Sequence, residues 1–140
     1  YEAELLGRLR ENGLADRVAL MPPVLSADRM AVALQLADCS VNCVPFDAFP
    51  VSILEAMYCR AVPVVRNLES YTQFVKDGRT AFAVDGRSDQ YADRIERLIR
   101  DPSLKKRMAD EGVERVRNEG SEEIFRRNTL SLMERCWHEW

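Results

Sequence analysis

Three short apolar runs, separated by helical patterns, limit the folds that are open to this chain of 140 residues. The runs lie at 40–44, 62–65 and 81–84, and each is mainly apolar rather than apolar at every second position. Strands of this kind are buried on both faces, as in a parallel sheet that helices cover. The sequence therefore predicts an α/β fold, a Rossmann-like parallel sheet with helices on both faces.

The segments before the second run predict helices and one further strand. A helix is predicted over 4–12, where a glycine ends it, and a short strand over 18–21, where two prolines follow. Ser26 is predicted to cap the next helix, because its hydroxyl can accept a hydrogen bond from a helical amide. Pro50 is predicted to open a third helix, since proline suits the first helical position.

After the second run the predicted elements are mostly helical. A short helix is predicted over 71–75, in which Tyr71 covers the core or, alternatively, stacks on a base. Ser88 is predicted to cap a helix, and Asp101 to cap the next one. A terminal helix from about 121 carries an apolar stripe, which we expect to pack on this domain or on a second one. The stripe consists of Phe125, Thr129, Leu132, Met133, Cys136, Trp137 and Trp140.

Two segments follow strand ends, where parallel sheets bind ligands: 45–52 and 66–73. The first carries Asp47 just ahead of a helix and Glu55 in the early turns of that helix. The amides of 51–53 lack helical partners and suit a phosphate, and carboxylates accept hydrogen bonds from sugar hydroxyls. The spacing of Asp47 and Glu55 is suitable for binding a nucleotide sugar. It also fits a simpler alternative, in which Asp47 caps the helix and Glu55 is a solvated acid.

Charge and cysteine usage argue against several other classes of protein. The net charge of −3 gives no overall attraction to nucleic acid or to an anionic membrane. No apolar run is long enough to span a bilayer, and no signal-peptide pattern opens the chain. The four cysteines form no C-x-x-C pair and the only histidine is His138, so we expect no metal site and a reducing, cytoplasmic location.

The segment around Asp47 resembles the signature of the family 4, or group 1, glycosyltransferases. The matching stretches are FDAFPVSILEAM at 46–57, VPVV at 62–65, VKDG at 75–78, GLADRV at 13–18 and LADCSV at 36–41. The resemblance implies a retaining enzyme of the two-Rossmann-domain (GT-B) fold. Residues 1–140 would then form its C-terminal nucleotide-sugar-binding domain.

The resemblance also implies roles for individual residues. Asp47 matches the catalytic acid that contacts the transferred sugar, and Glu55 matches the acid that holds the nucleotide ribose. Ser70 and Thr72 lie where the family has glycines, and we expect them to donate hydroxyls to the diphosphate instead; the alternative is that this loop binds something else or nothing. The segment whose amides contact the diphosphate corresponds to Phe49, Pro50, Val51, Ser52 and Ile53. The family uses no metal ion in this site and no cofactor, because the nucleotide-diphosphate sugar itself is the donor substrate.

Three positions depart from the family pattern. Asp47 is one methylene shorter than the glutamate of the family, and Arg60 or Ala61 stands where the family usually has glycine. The loop at 66–73 lacks the glycines of the family loop. Family domains also begin with two more central strands and follow an acceptor-binding domain. The expected domain is therefore incomplete at its N-terminus and has a helical C-terminal tail; any peripheral membrane contact would be made through the missing domain.

The leading hypothesis is a glycosyltransferase of carbohydrate biosynthesis, of the hexosyltransferase type, whose donor-binding half is this chain. The fragment alone is expected to be inactive, since positioning two substrates supplies much of the rate. The departures from the pattern motivate a second hypothesis, a non-catalytic, degenerate glycosyltransferase-like binding module. A nucleotide-sugar epimerase and a phosphate-binding module unrelated to sugars are further alternatives.

Overall fold

A computed structural model of the chain describes residues 2–21, 26–48, 50–124, 126–127, 130–131 and 133. These ranges contain the helices α1 (Glu2–Glu11), α2 (Ala27–Leu36), α3 (Val51–Tyr58), α4 (Ser88–Arg100) and α5 (Pro102–Glu119). They also contain the strands β1 (Cys39–Asn42), β2 (Val62–Arg66) and β3 (Phe82–Val84). The described residues after 121 are helical as well, so the helical tail is confirmed.

The three strands form one parallel sheet in the order β1-β2-β3. Val64 of β2 pairs with Val41 on one side and with Phe82 on the other. Each crossover between neighbouring strands contains helical structure, as parallel strands require. The predicted α/β class, with its parallel Rossmann-like sheet, is therefore confirmed.

Helices cover both faces of the sheet because the side chains of β2 alternate between two cores. Val62 and Val64 pack with residues of α4, including Leu98, whereas Val65 packs with α3, including Ile53. All three valines have no exposed surface. Helix α5 contributes to both cores. The middle strand is thus fully enclosed, and its carboxyl end is the part that reaches the surface.

The strand predicted over 18–21 is wrong. A 3₁₀ turn spans Ala15–Arg17, and residues 18–21 follow it without regular structure. Val18 and Leu20 are 42% and 45% exposed. A strand forms only where a neighbour completes its hydrogen-bond ladder, and no described segment pairs with these residues.

The helix predicted over 71–75 is also wrong in type. A 3₁₀ turn spans Glu69–Tyr71, and the amides of Phe74 and Val75 then close on the Tyr71 carbonyl at 3.0 and 2.8 Å. The segment is too short for a regular helix, whose first turn is costly to nucleate. The turn nevertheless buries the Tyr71 ring, as expected.

The helix ends follow most of the sequence signals. Ser26 caps α2 by accepting a hydrogen bond from the Arg29 amide, and Asp101 caps α5 through the Leu104 amide at 2.9 Å. The prediction for Ser88 is wrong, because Arg87 is the N-cap residue and no side chain caps α4.

The apolar stripe predicted for the terminal helix lies mostly outside the described residues. Met133 is its one described member and is 63% exposed. The members outside the described residues are Phe125, Thr129, Leu132, Cys136, Trp137 and Trp140.

Candidate functional site

The N-terminus of α3 lies where the sheet ends, between the loops that follow β1 and β2. Pro50 is its N-cap residue, and no side chain caps the helix. The Pro50 carbonyl accepts hydrogen bonds from the amides of Ile53 at 3.0 Å and Leu54 at 2.9 Å. The Ile53 amide is therefore engaged within the protein. The exposed Val51 and Ser52 are the predicted donors that remain.

Asp47 stands on one side of this helix end and is bonded to the next loop. Its Oδ2 accepts a hydrogen bond of 2.9 Å from the hydroxyl of Tyr71. The Tyr71 ring is 1% exposed and packs in the core beside Ile53 and Phe74. The loops after β1 and β2 are thus joined at the carboxylate that the sequence predicted to be catalytic.

The contact with Asp47 changes the acidity of Tyr71. Burial, then the hydrogen bond to Asp47 and the negative charge of that carboxylate, raise the pKa of Tyr71 from 10.0 to about 12. A tyrosine hydroxyl is protonated at neutral pH in any case and donates to the carboxylate, so the raised pKa matters only in alkaline solution. Tyr91 of α4 has a pKa raised to about 12 as well, chiefly by burial, but its hydroxyl donates to the backbone carbonyl of Asn42 at 3.1 Å.

Glu55 lines a cavity between α2, α3 and the end of α5. The cavity measures about 460 Å³ and its walls are mainly apolar. Among the described residues that line it, Glu55 is the only one with a carboxylate. The wall residues are Ala27, Met30, Ala31, Leu34, Val51, Leu54, Glu55, Tyr58, Cys59, Val116 and Gly120. The cavity falls within the usual size range of small-molecule sites.

The loop after β2 carries Ser70 and Thr72, the two predicted hydroxyl donors, and their surroundings differ. The Thr72 hydroxyl donates to the Glu69 carbonyl at 2.8 Å, so it holds the turn together, and Ser70 is exposed. Thr72 and Tyr71 also line a smaller cavity of about 160 Å³. Phe49, the remaining predicted site residue, lies outside the described residues.

Sequence reasoning missed that Tyr71 contacts Asp47. The available signal was a tyrosine in the loop after β2, at the same sheet edge as Asp47, because a buried tyrosine hydroxyl usually needs a partner. The loop that replaces the family's glycines thus supplies a side chain to the site.

The described residues offer little evidence for other kinds of site. They contain no cluster of three or more side chains that could hold a metal ion. In the same part of the chain, no helix combines the length and the apolar character that crossing a membrane requires. Cys39, Cys43 and Cys59 are free thiols.

Comparison with known proteins gives consistent matches. The family model of the glycosyl transferases group 1 matches residues 1–115. An alpha-1,3/1,6-mannosyltransferase of Dictyostelium discoideum is 24% identical over 132 residues, covering 94% of this chain and 31% of that protein. An alpha-D-kanosaminyltransferase of Streptomyces kanamyceticus is 30% identical over 99 residues, covering 70% of this chain and 25% of that protein. The chain thus spans about a third or less of these relatives' length.

Solved structures share the fold. The C-terminal domain of a glycosyl transferase group 1 family protein from Francisella tularensis matches with a TM-score of 0.79 and 20% identity, over 86% of this chain and 63% of that one. Sucrose-phosphate synthase from Thermosynechococcus elongatus matches with a TM-score of 0.87 and 21% identity, over 99% of this chain and 35% of that one. At these identities the structures establish the fold alone, the Rossmann-like fold of a GT-B domain.

Proposed function

This chain belongs to the glycosyl transferases group 1 family, and from that membership we propose that it binds the donor in a retaining sugar transfer. The proposed donor is a nucleotide-diphosphate sugar. The observation that carries the proposal is the arrangement around the N-terminus of α3. Asp47, just ahead of the helix, is bonded to the loop after β2, and Glu55 within the helix lines an apolar cavity.

The cavity beside Glu55 suits a nucleoside. Its apolar walls, including Met30 and Leu34, can contact the faces of a base. Glu55 is exposed to the cavity and has no ion-pair partner among the described residues, so its carboxylate can accept hydrogen bonds from ribose hydroxyls. The nucleoside would then lie between α2 and α3.

The diphosphate is proposed to bind at the amides of Val51 and Ser52. The first turn of a helix presents unpaired amides and the positive end of the helix dipole, both of which favour an anion. The same groups would stabilise the negative charge that develops on the leaving diphosphate. Ser70 and Thr72 stay predicted contacts to the phosphates.

Asp47 is proposed to contact the sugar. In the transfer, the bond between the anomeric carbon and the diphosphate oxygen breaks, and a bond to an acceptor hydroxyl forms on the same face of the ring. The acceptor hydroxyl gives its proton to the departing diphosphate oxygen in this step, so that the atoms and charges balance. The Asp47 carboxylate would hold the sugar ring by accepting hydrogen bonds from its hydroxyls.

The rest of the proposed enzyme lies outside this chain. Because the chain spans about a third or less of its relatives' length, we propose that another domain binds the acceptor. We further propose a hexose as the transferred sugar, a cytoplasmic location, no cofactor, and no transfer by this chain alone.

Calorimetric titration of the protein with UDP, GDP and ADP tests the proposal. We expect saturable binding of one nucleotide and a loss of affinity of tenfold or more, roughly the value of a hydrogen bond to a charged group, in Glu55→Ala. Glu114→Ala is the matched control, since Glu114 is an exposed glutamate of α5 away from this cavity. Absence of binding by the folded protein, or equal losses in both variants, would contradict the proposal.

A non-catalytic binding module is the second candidate. One observation favours it: the loop at 66–73 contains no glycine that would let the backbone approach a diphosphate. Such a module would bind the free nucleotide and its sugar derivative equally, with or without Asp47. A transferase would bind the sugar derivative more tightly, and Asp47→Asn would abolish the difference.

A further inference from the structure

Tyr71 stands out among the residues near Asp47 because its ring and its hydroxyl belong to different environments. The ring is 1% exposed and is fixed by the core residues Ile53 and Phe74. The hydroxyl reaches the Asp47 carboxylate at 2.9 Å, across a separation of 24 residues. The position of the hydroxyl is therefore set by the packed core rather than by the loop that carries it.

Resting on the proposed function, we propose that Tyr71 is a positioning residue that holds the Asp47 carboxylate toward the transferred sugar. The Tyr71 hydroxyl holds Asp47 Oδ2 at a point that the packed core fixes, which limits the orientations open to this short side chain. A carboxylate has about four lone-pair sites, and the bond from Tyr71 uses one of them.

The chemistry of the pair agrees with a positioning role. A phenylalanine would fill the same core, so packing alone does not explain the hydroxyl. A tyrosine hydroxyl carries its proton at neutral pH, so Tyr71 donates to the Asp47 carboxylate. Hydrogen bonds to charged groups are also stronger than neutral ones.

Two buried tyrosines make a matched pair of variants for the test. Tyr71→Phe removes the bond to the carboxylate, whereas Tyr91→Phe removes a bond to the backbone carbonyl of Asn42 from the other side of the sheet. The dissociation constants of UDP, GDP and ADP would be measured for the full-length protein. They would be compared with those of UDP-glucose, GDP-mannose and ADP-glucose.

We expect Tyr71→Phe to weaken binding of the nucleotide sugar about tenfold while the free nucleotide changes less than about twofold. Tyr91→Phe should change neither ligand. Because Tyr71 acts through Asp47, the double variant Asp47→Asn/Tyr71→Phe should bind no more weakly than Asp47→Asn alone. A purely structural role would weaken both ligands together.

The outcomes separate the two proposals. If the wild-type protein binds both ligands but Tyr71→Phe weakens neither, or weakens both equally, the positioning role is overturned and the proposed function stands. An additive loss in the double variant also overturns it. If the folded wild-type protein binds no nucleotide at all, the proposed function fails and the role of Tyr71 fails with it.

Discussion

Arg60 adopts a backbone conformation that usually belongs to glycine. It follows Cys59, the C-cap residue of α3, and has a φ of +71°. Such a conformation costs a residue with a Cβ about 1 kcal/mol. Its guanidinium pairs with Asp110, but both side chains are about half exposed, at 54% and 43%. Exposed ion pairs of this kind contribute little to stability. The energetic cost of the Arg60 backbone conformation is therefore larger than the stabilisation from its pair with Asp110.

We therefore expect Arg60→Gly to stabilise the protein by about 0.5–1 kcal/mol. Urea denaturation would measure the free energy of unfolding of the variant and of the wild-type protein. Arg60→Ala is the control, since it also removes the pair with Asp110 but keeps a Cβ. If both variants have the same stability, the backbone strain is not the cause.

The two buried tyrosines predict how stability changes in alkaline solution. The pKa values of Tyr71 and Tyr91 are each raised from 10.0 to about 12 in the folded protein. Between these values the folded state binds more protons than the unfolded state, so stability falls as pH rises. The contribution is fully present below pH 10 and is lost as the pH approaches 12.

Urea denaturation at several pH values between 9 and about 11.5 would reveal this slope. The slope should become shallower in Tyr71→Phe and again in Tyr91→Phe, because each variant removes one raised pKa. Tyr58→Phe should leave it unchanged, since Tyr58 is 55% exposed and is the suitable comparison. If none of the three substitutions changes the slope, the pKa values of Tyr71 and Tyr91 are not raised by burial as described.

At the scale of elements, the starts of α4 and α5 differ in how they are capped. The Asp101 carboxylate accepts a hydrogen bond from the Leu104 amide at 2.9 Å, while Ser88 makes no cap at the start of α4. Asp101→Ala should therefore lower the free energy of unfolding by about 1 kcal/mol. Ser88→Ala should change it by less than about 0.5 kcal/mol. Comparable losses in thermal or urea denaturation would contradict the assigned caps.

The same elements show how far the sequence alone could predict the fold. The strands at 39–42, 62–66 and 82–84 overlap the three predicted runs, which are mainly apolar and bounded by turn or helix signals. The strand at 18–21 was not a strand, since local pattern carries no information about whether a neighbour is present to pair with it. The predicted cap at Ser88 was wrong because the start of a helix can be placed from sequence only to within one or two residues. The helix begins at Ser88 itself, so Arg87 occupies the cap position.

The candidate site, too, was predictable from the sequence only in part. Asp47, Glu55 and the start of α3 could be predicted, because they form one continuous motif in the sequence. The Tyr71–Asp47 bond and the cavity beside Glu55 could not, because both bring together segments far apart in the chain. Contacts of that kind depend on the packing of the whole core.

At the scale of the whole molecule, β1 is one of the two edge strands of the sheet. It pairs with β2 on one side, and no described segment pairs with its other edge. Val41 of β1 is 48% exposed and Leu36, just ahead of the strand, is 82% exposed. An open edge with apolar side chains beside it is a template for pairing with another chain.

We expect this chain to self-associate with increasing concentration through the β1 edge, and Val41→Lys to suppress the association. A lysine on an edge strand opposes pairing because two copies would bring like charges together in place of apolar contacts. Val32→Lys is the control: Val32 is 55% exposed on α2, so the change in net charge is the same but the sheet edge is intact. Sedimentation velocity would compare both variants with the wild-type chain. If both lysines reduce the association equally, net charge and not the strand edge governs it, whereas a selective effect of Val41→Lys would identify β1 as the surface that another segment must cover.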